Sequence, residues 1–503
     1  MGTAGANPID RKGSFSLLGG VVGLVCAVLV VYSQTAAFHW DEGFHLLAAQ
    51  LIHRGRRPYL DFCFPQTPLN AYWTAGWMRL IGESWRAVHA LAAAATAGTI
   101  LVAADFIRTR FPDPQWRTPG AATTALVLGW NVAIIEFGTI GQPYAFCLLL
   151  LVCAFRAAVV AVERQGLLRI ALAGLLAGAA AASSLLTAAS VPVLLIWILY
   201  HAPGKRWAGC SSFAGGAVIP WLPVVWLFSR APRIVFFNLV QYQLLYRRTN
   251  WEDATPHDLE VLTSWWNSPT ALLLGVLAIT GLWCIAKRSG WKASNRSGFY
   301  LCGWLALGIG VEVGTTHPTF PSYWVLVTPF LGMPAAAGLY AAGALLGNPV
   351  RARWLVPALA VLMAVGLATS LPERHSRLDW RDMERLARKV NEVTPAGGAI
   401  WADEQVYFLT GRPPAEGTEF SYAEVIDLPE DVSFPLHIVS DIALDDQAAA
   451  GVFQTVSTCE DEEVVGKLRL PSLFRRQQVM ESGCRVFWEP VNSLRPDQAS
   501  VGR

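Results

Sequence analysis

Two adjacent carboxylates, Asp41 and Glu42, stand where the first long apolar run of this 503-residue chain ends, and Arg54, Arg56 and Arg57 follow them. A second cationic stretch, 229–268, carries Arg230, Arg233, Arg247 and Arg248 among Tyr242, Tyr246 and Trp251. Carboxylates of this kind take and return protons. Arginines kept at a membrane surface bind phosphate, by a bidentate fork that lysine lacks; anionic lipid head groups are the simpler ligand for any one of them. Carboxylate, cation and aromatic face together are the parts a sugar transfer uses. Asp41 also occupies the expected N-cap position of the next helix, so satisfying free backbone N–H groups is the plainer alternative. The chain contains no GxxxxGK[ST], HExxH, GxSxG or Asp-x-Asp pattern, which argues against a soluble nucleotide donor, and no motif supports a divalent metal. No nucleic-acid partner is expected.

The elements that must position these groups read as follows. Phe44, Leu47, Ala48, Leu51 and Ile52 recur at helical spacing, with Glu42, His45, Gln50, His53 and Arg54 elsewhere around the wheel. A short helix lying along the surface and ended by Gly55 is expected. Residues 65–81 read as an interfacial helix. The composition, 53% apolar and 15% charged with 21 Trp, is that of a membrane protein. Only fourteen of 37 acidic side chains fall in the first 371 residues. That asymmetry predicts a transmembrane domain over 1–371 with outer loops 38–84 and 229–268, followed by a soluble α/β domain over 372–503.

Apolar runs near 17–37, 85–107, 120–137, 143–162, 168–183, 185–200, 207–228, 269–286, 298–314, 323–346 and 354–371 make about eleven membrane helices. The first is read as an uncleaved anchor; a cleavable signal ending at Thr35-Ala36-Ala37 is the competing reading. Arg11/Lys12, Arg108/Arg110/Arg117, Arg164/Arg169, Lys205/Arg206, Lys287/Arg288/Lys292/Arg296 and Arg351/Arg353 then share one side, which makes it cytoplasmic. The first loop, the 229–268 loop and the tail are placed outside. The acids Asp41, Glu42, Asp61, Glu83, Glu252, Asp253, Asp258 and Glu260 lie in the two outer loops. Glu136 and Glu312 sit at outer ends of spans, facing either an outward polar cavity or the head groups, whereas Asp105 and Arg156 are expected to snorkel inward. Six of the nine Cys lie in apolar runs as packing residues; Cys459 and Cys484 can pair if the tail is extracytoplasmic. In the tail, 380–393 reads as a helix, 399–401 and 437–439 as strands, and Asp403-Glu404 as the cap of a short helix.

The stretch Asp41-Glu42 with its helix, then Pro58-Tyr59-x-Asp61-Phe62 and Pro65-x-x-Pro68-Leu69, resembles the first outer loop of the GT-C glycosyltransferases, which include protein O-mannosyltransferases and lipid A aminoarabinose transferases. Gly141-Gln142-Pro143-Tyr144, the small-residue run Ala173 to Gly178, Pro321-Ser322-Tyr323 with Pro329, and Ala402-Asp403 to Arg412 extend the resemblance. It implies an inverting hexosyl or pentosyl transferase of the inner membrane that takes a sugar from a polyprenyl-phosphate donor among the membrane lipids, on the outer face. It further implies Asp41 as the general base with Glu42 orienting it or exchanging roles, and Arg56, Arg57, Arg247 and Arg248 as groups that offset charge on the departing phosphate. Asp61, Glu136, Gln142, Tyr144, Tyr242 and His317 complete the candidate substrate-binding set. Relatives often carry an acid near Gln142 and a base after the small-residue run, where this chain has Ser183-Ser184-Leu185-Leu186. A transporter or flippase of a lipid-linked or anionic substrate is the alternative.

Overall fold

The computed structural model describes residues 8–35, 37–164, 166–201, 206–249, 251, 253–264, 268–287, 293–347, 349–374 and 378–492. Glu252, Lys205, Arg288 and Lys292 lie outside them. The chain forms two compact units. One comprises Met1–Thr35, Arg86–Pro223 and Asp253–Arg374; the other gathers Ala36–Trp85, Val224–Glu252 and His375–Arg503. Most of both segments read above as outer loops thus folds with the tail.

The first unit is helical. Among the described residues five helices, Trp85–Arg110, Tyr144–Arg164, Arg206–Arg230, Pro269–Lys287 and Arg296–Thr315, are long and apolar enough to cross a membrane. Leu18–Ser33, Leu167–Ser183, Leu185–His201 and Leu355–Ser370 are shorter apolar helices. Two expected spans are interrupted. The 120–137 run breaks at Trp130-Asn131 into Arg117–Gly129 and Val132–Phe137, because the Asn131 side-chain Oδ1 accepts the Ile134 N–H and starts a new helix. The 323–346 run begins as a tight turn over Pro321–Leu326 before the helix Thr328–Leu345.

Lipid tails provide no hydrophobic drive between helices, so small residues that let backbones approach do much of the packing. This explains the small-residue run. A Cβ on Gly174 or Gly178 would fall 2.0 or 2.1 Å from the carbonyl oxygens of Phe213 and Ala217 on the neighbouring helix. Phe106, Phe111, Phe155 and Phe299 form an edge-on cluster with Tyr340, whose hydroxyl donates to Asp113 at 2.7 Å. Asp105 and Arg156 pair with each other at 3.2 Å.

In the second unit the tail carries a four-stranded sheet, order β1-β2-β4-β3, with β1 (Ile400–Trp401), β2 (Thr455–Thr458), β3 (Phe474–Val479) and β4 (Arg485–Pro490). β1 runs parallel to β2; the other pairs are antiparallel, with Val456 opposite Phe487 and Gln478 opposite Val486. Leu444, Phe453, Val456, Leu470 and Phe487 form its core. Thr458 faces Arg485, so the next residues outward, Cys459 and Cys484, stand opposite and form a disulfide. The helix Trp380–Val393 forms where expected, started by reciprocal capping between Asp379 and Asp382. The expected strand at 437–439 does not: His437 adopts the left-handed conformation (φ 55°), turning the chain, and Ser440 caps the next helix.

Candidate active site

The helix Trp40–His53 is the centre of the second unit. It begins one residue before Asp41, with His39 at the N-cap and no side-chain cap bond, so Asp41 lies in the first turn and is not the capping group. Nor does the helix lie exposed along a surface. Every residue from Glu42 to Leu51 is buried, polar positions included. The reason is the tail. Glu42 is 0% exposed and its Oε2 accepts the indole N–H of Trp380 at 3.1 Å; Trp380 in turn stacks on Trp85. Gln50 donates to the Phe408 carbonyl and to Glu83. Arg54 holds Glu83 with two nitrogens and the Gly411 carbonyl with a third. Gly43 permits the close approach, since a Cβ there would meet Gln405 Oε1 at 2.6 Å and Gln405 N at 3.2 Å.

Asp41 is treated differently from its neighbour. Its Oδ1 accepts the Tyr422 hydroxyl at 2.7 Å, and no hydrogen bond to Oδ2 is made among the described residues. Around it lie Phe44, Phe420, Tyr422 and Tyr242, with ring centroids 5.0 to 6.1 Å apart. Ser421 N donates to Glu404 Oε1 at 2.7 Å. Burial raises the Glu404 carboxyl, with a small addition from Asp41. Burial also lifts Asp403 to about 7, helped by Glu404 and Glu460; Asp403 sits at the N-cap of Glu404–Thr410 but makes no capping bond. His45, buried one turn along from Asp41, is pushed down to about 3 and is neutral.

The cations of this unit divide. Arg57 forks onto Asp61 at 2.7 and 3.0 Å, which holds the Asp61 carboxyl below its usual range. Arg56 donates to the Asp61 carbonyl. Tyr242 lies in a wide helical segment, Phe237–Tyr246, closed by Arg247 N donating five residues back to the Tyr242 carbonyl. Asn238 and Gln243 of that segment bond Phe64 N and the Pro65 carbonyl. Arg247 is half-buried and Arg248 exposed.

Four sequence candidates belong to the other unit. Tyr144 is buried and donates to Ser322 at 3.2 Å, joining two motifs read separately in the sequence. Gln142 is buried and Glu136 half-buried. His317 Nδ1 meets Asp258 Oδ2 at 2.5 Å, and Asp258 also accepts Thr319 N. Glu312 accepts Ala189 N at 2.9 Å, at the start of a helix. Trp380, Phe420 and Tyr422 carry no sequence signal for a site. Among the described residues no group of three or more His, Cys, Asp or Glu is placed to hold a metal ion.

No protein-family model and no curated protein sequence matches the chain. Solved structures do. ArnT from Cupriavidus metallidurans superposes with a TM-score of 0.66 in the apo state and 0.65 bound to undecaprenyl phosphate, at 16% identity. The alignments cover 95% and 93% of this chain and 98% and 97% of ArnT. The chain has the GT-C fold. A more distant GT-C protein, the archaeal oligosaccharyltransferase AglB from Archaeoglobus fulgidus with a dolichol-phosphate, matches at TM-score 0.51 and 11% identity over 97% of this chain and 75% of AglB.

Proposed function

We propose that this GT-C protein is an inverting glycosyltransferase that moves a hexosyl or pentosyl group from a polyprenyl-phosphate donor to an acceptor hydroxyl on the outer face of the inner membrane. The carrying observation is Asp41: one carboxylate oxygen is held by Tyr422 at 2.7 Å while the other is left for a substrate. In this reading Oδ2 takes the proton of the acceptor hydroxyl as its oxygen attacks the anomeric carbon. The bond from that carbon to the lipid phosphate breaks, with inversion. Arg56, Arg57, Arg247 and Arg248 offset the charge left on phosphate, and Arg248, exposed and held by no carboxylate among the described residues, is the readiest of them. Glu42, buried under Trp380, orients the first turn that carries Asp41. Asp61, Glu136, Gln142, Tyr144, Tyr242 and His317 are proposed to contact donor or acceptor.

Three observations support the reading. ArnT was seen with undecaprenyl phosphate and AglB with a dolichol-phosphate, both lipid phosphates. The six basic connections suit a topology of about eleven spans with the first loop and the tail outside. The Cys459–Cys484 disulfide suits an oxidising compartment. Purified protein in detergent with native membrane acceptors should release tritiated sugar from a panel of undecaprenyl-phosphate hexoses and pentoses. Asp41→Asn should reduce that rate at least a thousandfold. Turnover of no donor in the panel, as expected of a transporter, or full activity in the Asn variant, defeats the proposal.

A further inference from the structure

We propose that Tyr422, in the C-terminal tail, is a positioning residue for Asp41, fixing one carboxylate oxygen so that the other is presented to the acceptor hydroxyl. This rests on the reading of Asp41 as the base. The geometry has three parts. The Tyr422 hydroxyl donates to Asp41 Oδ1 at 2.7 Å, across 381 residues of sequence. Its ring is set edge-on against Phe44, with centroids 6.1 Å apart, and lies 5.5 Å from Phe420, so the hydroxyl has little freedom to swing. The backbone beneath it is pinned, because Ser421 N donates to Glu404 Oε1 at 2.7 Å and Glu404 is only 4% exposed. Burial, then the charge of Asp41, raises the phenol, and Glu404 and Tyr242 also face it. It therefore stays protonated and keeps donating. Packing alone would not need the hydroxyl, and here the hydroxyl is committed to Asp41 Oδ1, whose Oδ2 accepts no hydrogen bond among the described residues. A carboxylate free to rotate would lose much of the orientation a general base supplies.

The test uses the full chain in detergent with whichever undecaprenyl-phosphate sugar of the panel is turned over. Tyr422→Phe keeps the ring and removes the hydroxyl. The expected result is a ten- to hundredfold fall in kcat with donor KM within twofold and an unchanged melting temperature. Asp41→Glu displaces the carboxylate by one methylene and breaks the bond, so adding Tyr422→Phe to it should cost nothing further. Independently of turnover, 3-fluorotyrosine at position 422 should shift its 19F resonance on Asp41→Asn. Wild-type kcat in Tyr422→Phe, losses that multiply in the double variant, or an unmoved 19F signal overturns the inference while a dead Asp41→Asn leaves the base assignment standing. An active Asp41→Asn protein overturns both.

Discussion

Replacing Trp380 by Phe removes an indole N–H from a site with no access to water, and the loss can be scaled from the structure. Trp380 and Glu42 are both 0% exposed and joined at 3.1 Å. A hydrogen bond to a charged acceptor contributes about 1.5 to 3 kcal/mol, one to a neutral acceptor about 1. Trp380→Phe also shrinks the side chain and weakens the stack on Trp85, whose ring centroid lies 5.3 Å away. Those packing losses recur unchanged in a Glu42→Gln background, so the difference between the two backgrounds isolates the charge-assisted part, about 1 kcal/mol. For a unit of this size each kcal/mol moves the melting temperature by about 2 to 4 °C. Trp380→Phe should therefore lower it by roughly 5 to 10 °C, and by a few degrees less when residue 42 is Gln. Cys63 gives a local reporter: it is buried in the same unit, burial raises its thiol, and it reacts only on opening. Its alkylation against temperature, read by mass spectrometry, follows this unit. Equal losses in both backgrounds, or a loss below about 0.5 kcal/mol, would show that the buried contact does not hold the helix to the tail.

Gly174→Val places methyl groups where the Phe213 carbonyl lies 2.0 Å from a Cβ, and should abolish the monodisperse folded peak in size-exclusion chromatography, whereas Gly215→Val, with nothing within 4 Å, should leave it intact. Replacing Cys459 and Cys484 by Ser frees a loop with a sequence separation of 25 and should cost about 3 kcal/mol, seen as a lower melting temperature that reductant reproduces in the wild type. Burial raises Asp403 and Glu419 to about 7 and lifts Glu404 and Glu424 as well. An acid with a raised folded pKa stabilises fully below its unfolded value and loses that contribution as pH rises through the folded value. Melting temperature should thus fall between about pH 4 and pH 7, and Asp403→Asn should flatten the fall.

Local signals in the sequence were readable where one element suffices. Helical spacing with Gly55 beyond its end gives Trp40–His53, and the recurrence of Met383, Leu386, Ala387 and Val390 gives Trp380–Val393. The acidic pair is visible as chemistry because charges are rare in such company. What escapes is whatever the far end of the chain supplies. Glu42, His45 and Gln50 look like a solvated face, but Phe64 and Glu83 of the first loop and Trp380 and Phe408 of the tail, 338 residues from Glu42 at Trp380, make them a core. β3 was missed because all of its residues but Phe474 are exposed, which reads as a polar loop. The 437–439 segment misleads the other way: Ile438 is 2% exposed yet sits on irregular backbone. Asn131 is the readable mark of the broken span, being a capping residue inside an apolar run.

Because Glu42 in the Trp40–His53 helix and Trp380, which covers it, lie 338 residues apart in sequence, its maturation waits on segments synthesised far downstream. A ribosome delivers Glu42, His45 and Gln50 long before Trp380, Phe408 and Tyr422 exist, so the young helix must wait with unsatisfied polar groups while the intervening spans are inserted. A transcript cut short near residue 371 would yield the inserted spans and the acidic pair yet no finished centre. The downstream segment thereby acts as a check on translation: only a chain extended past Tyr422 acquires the arrangement on which the proposed transfer depends.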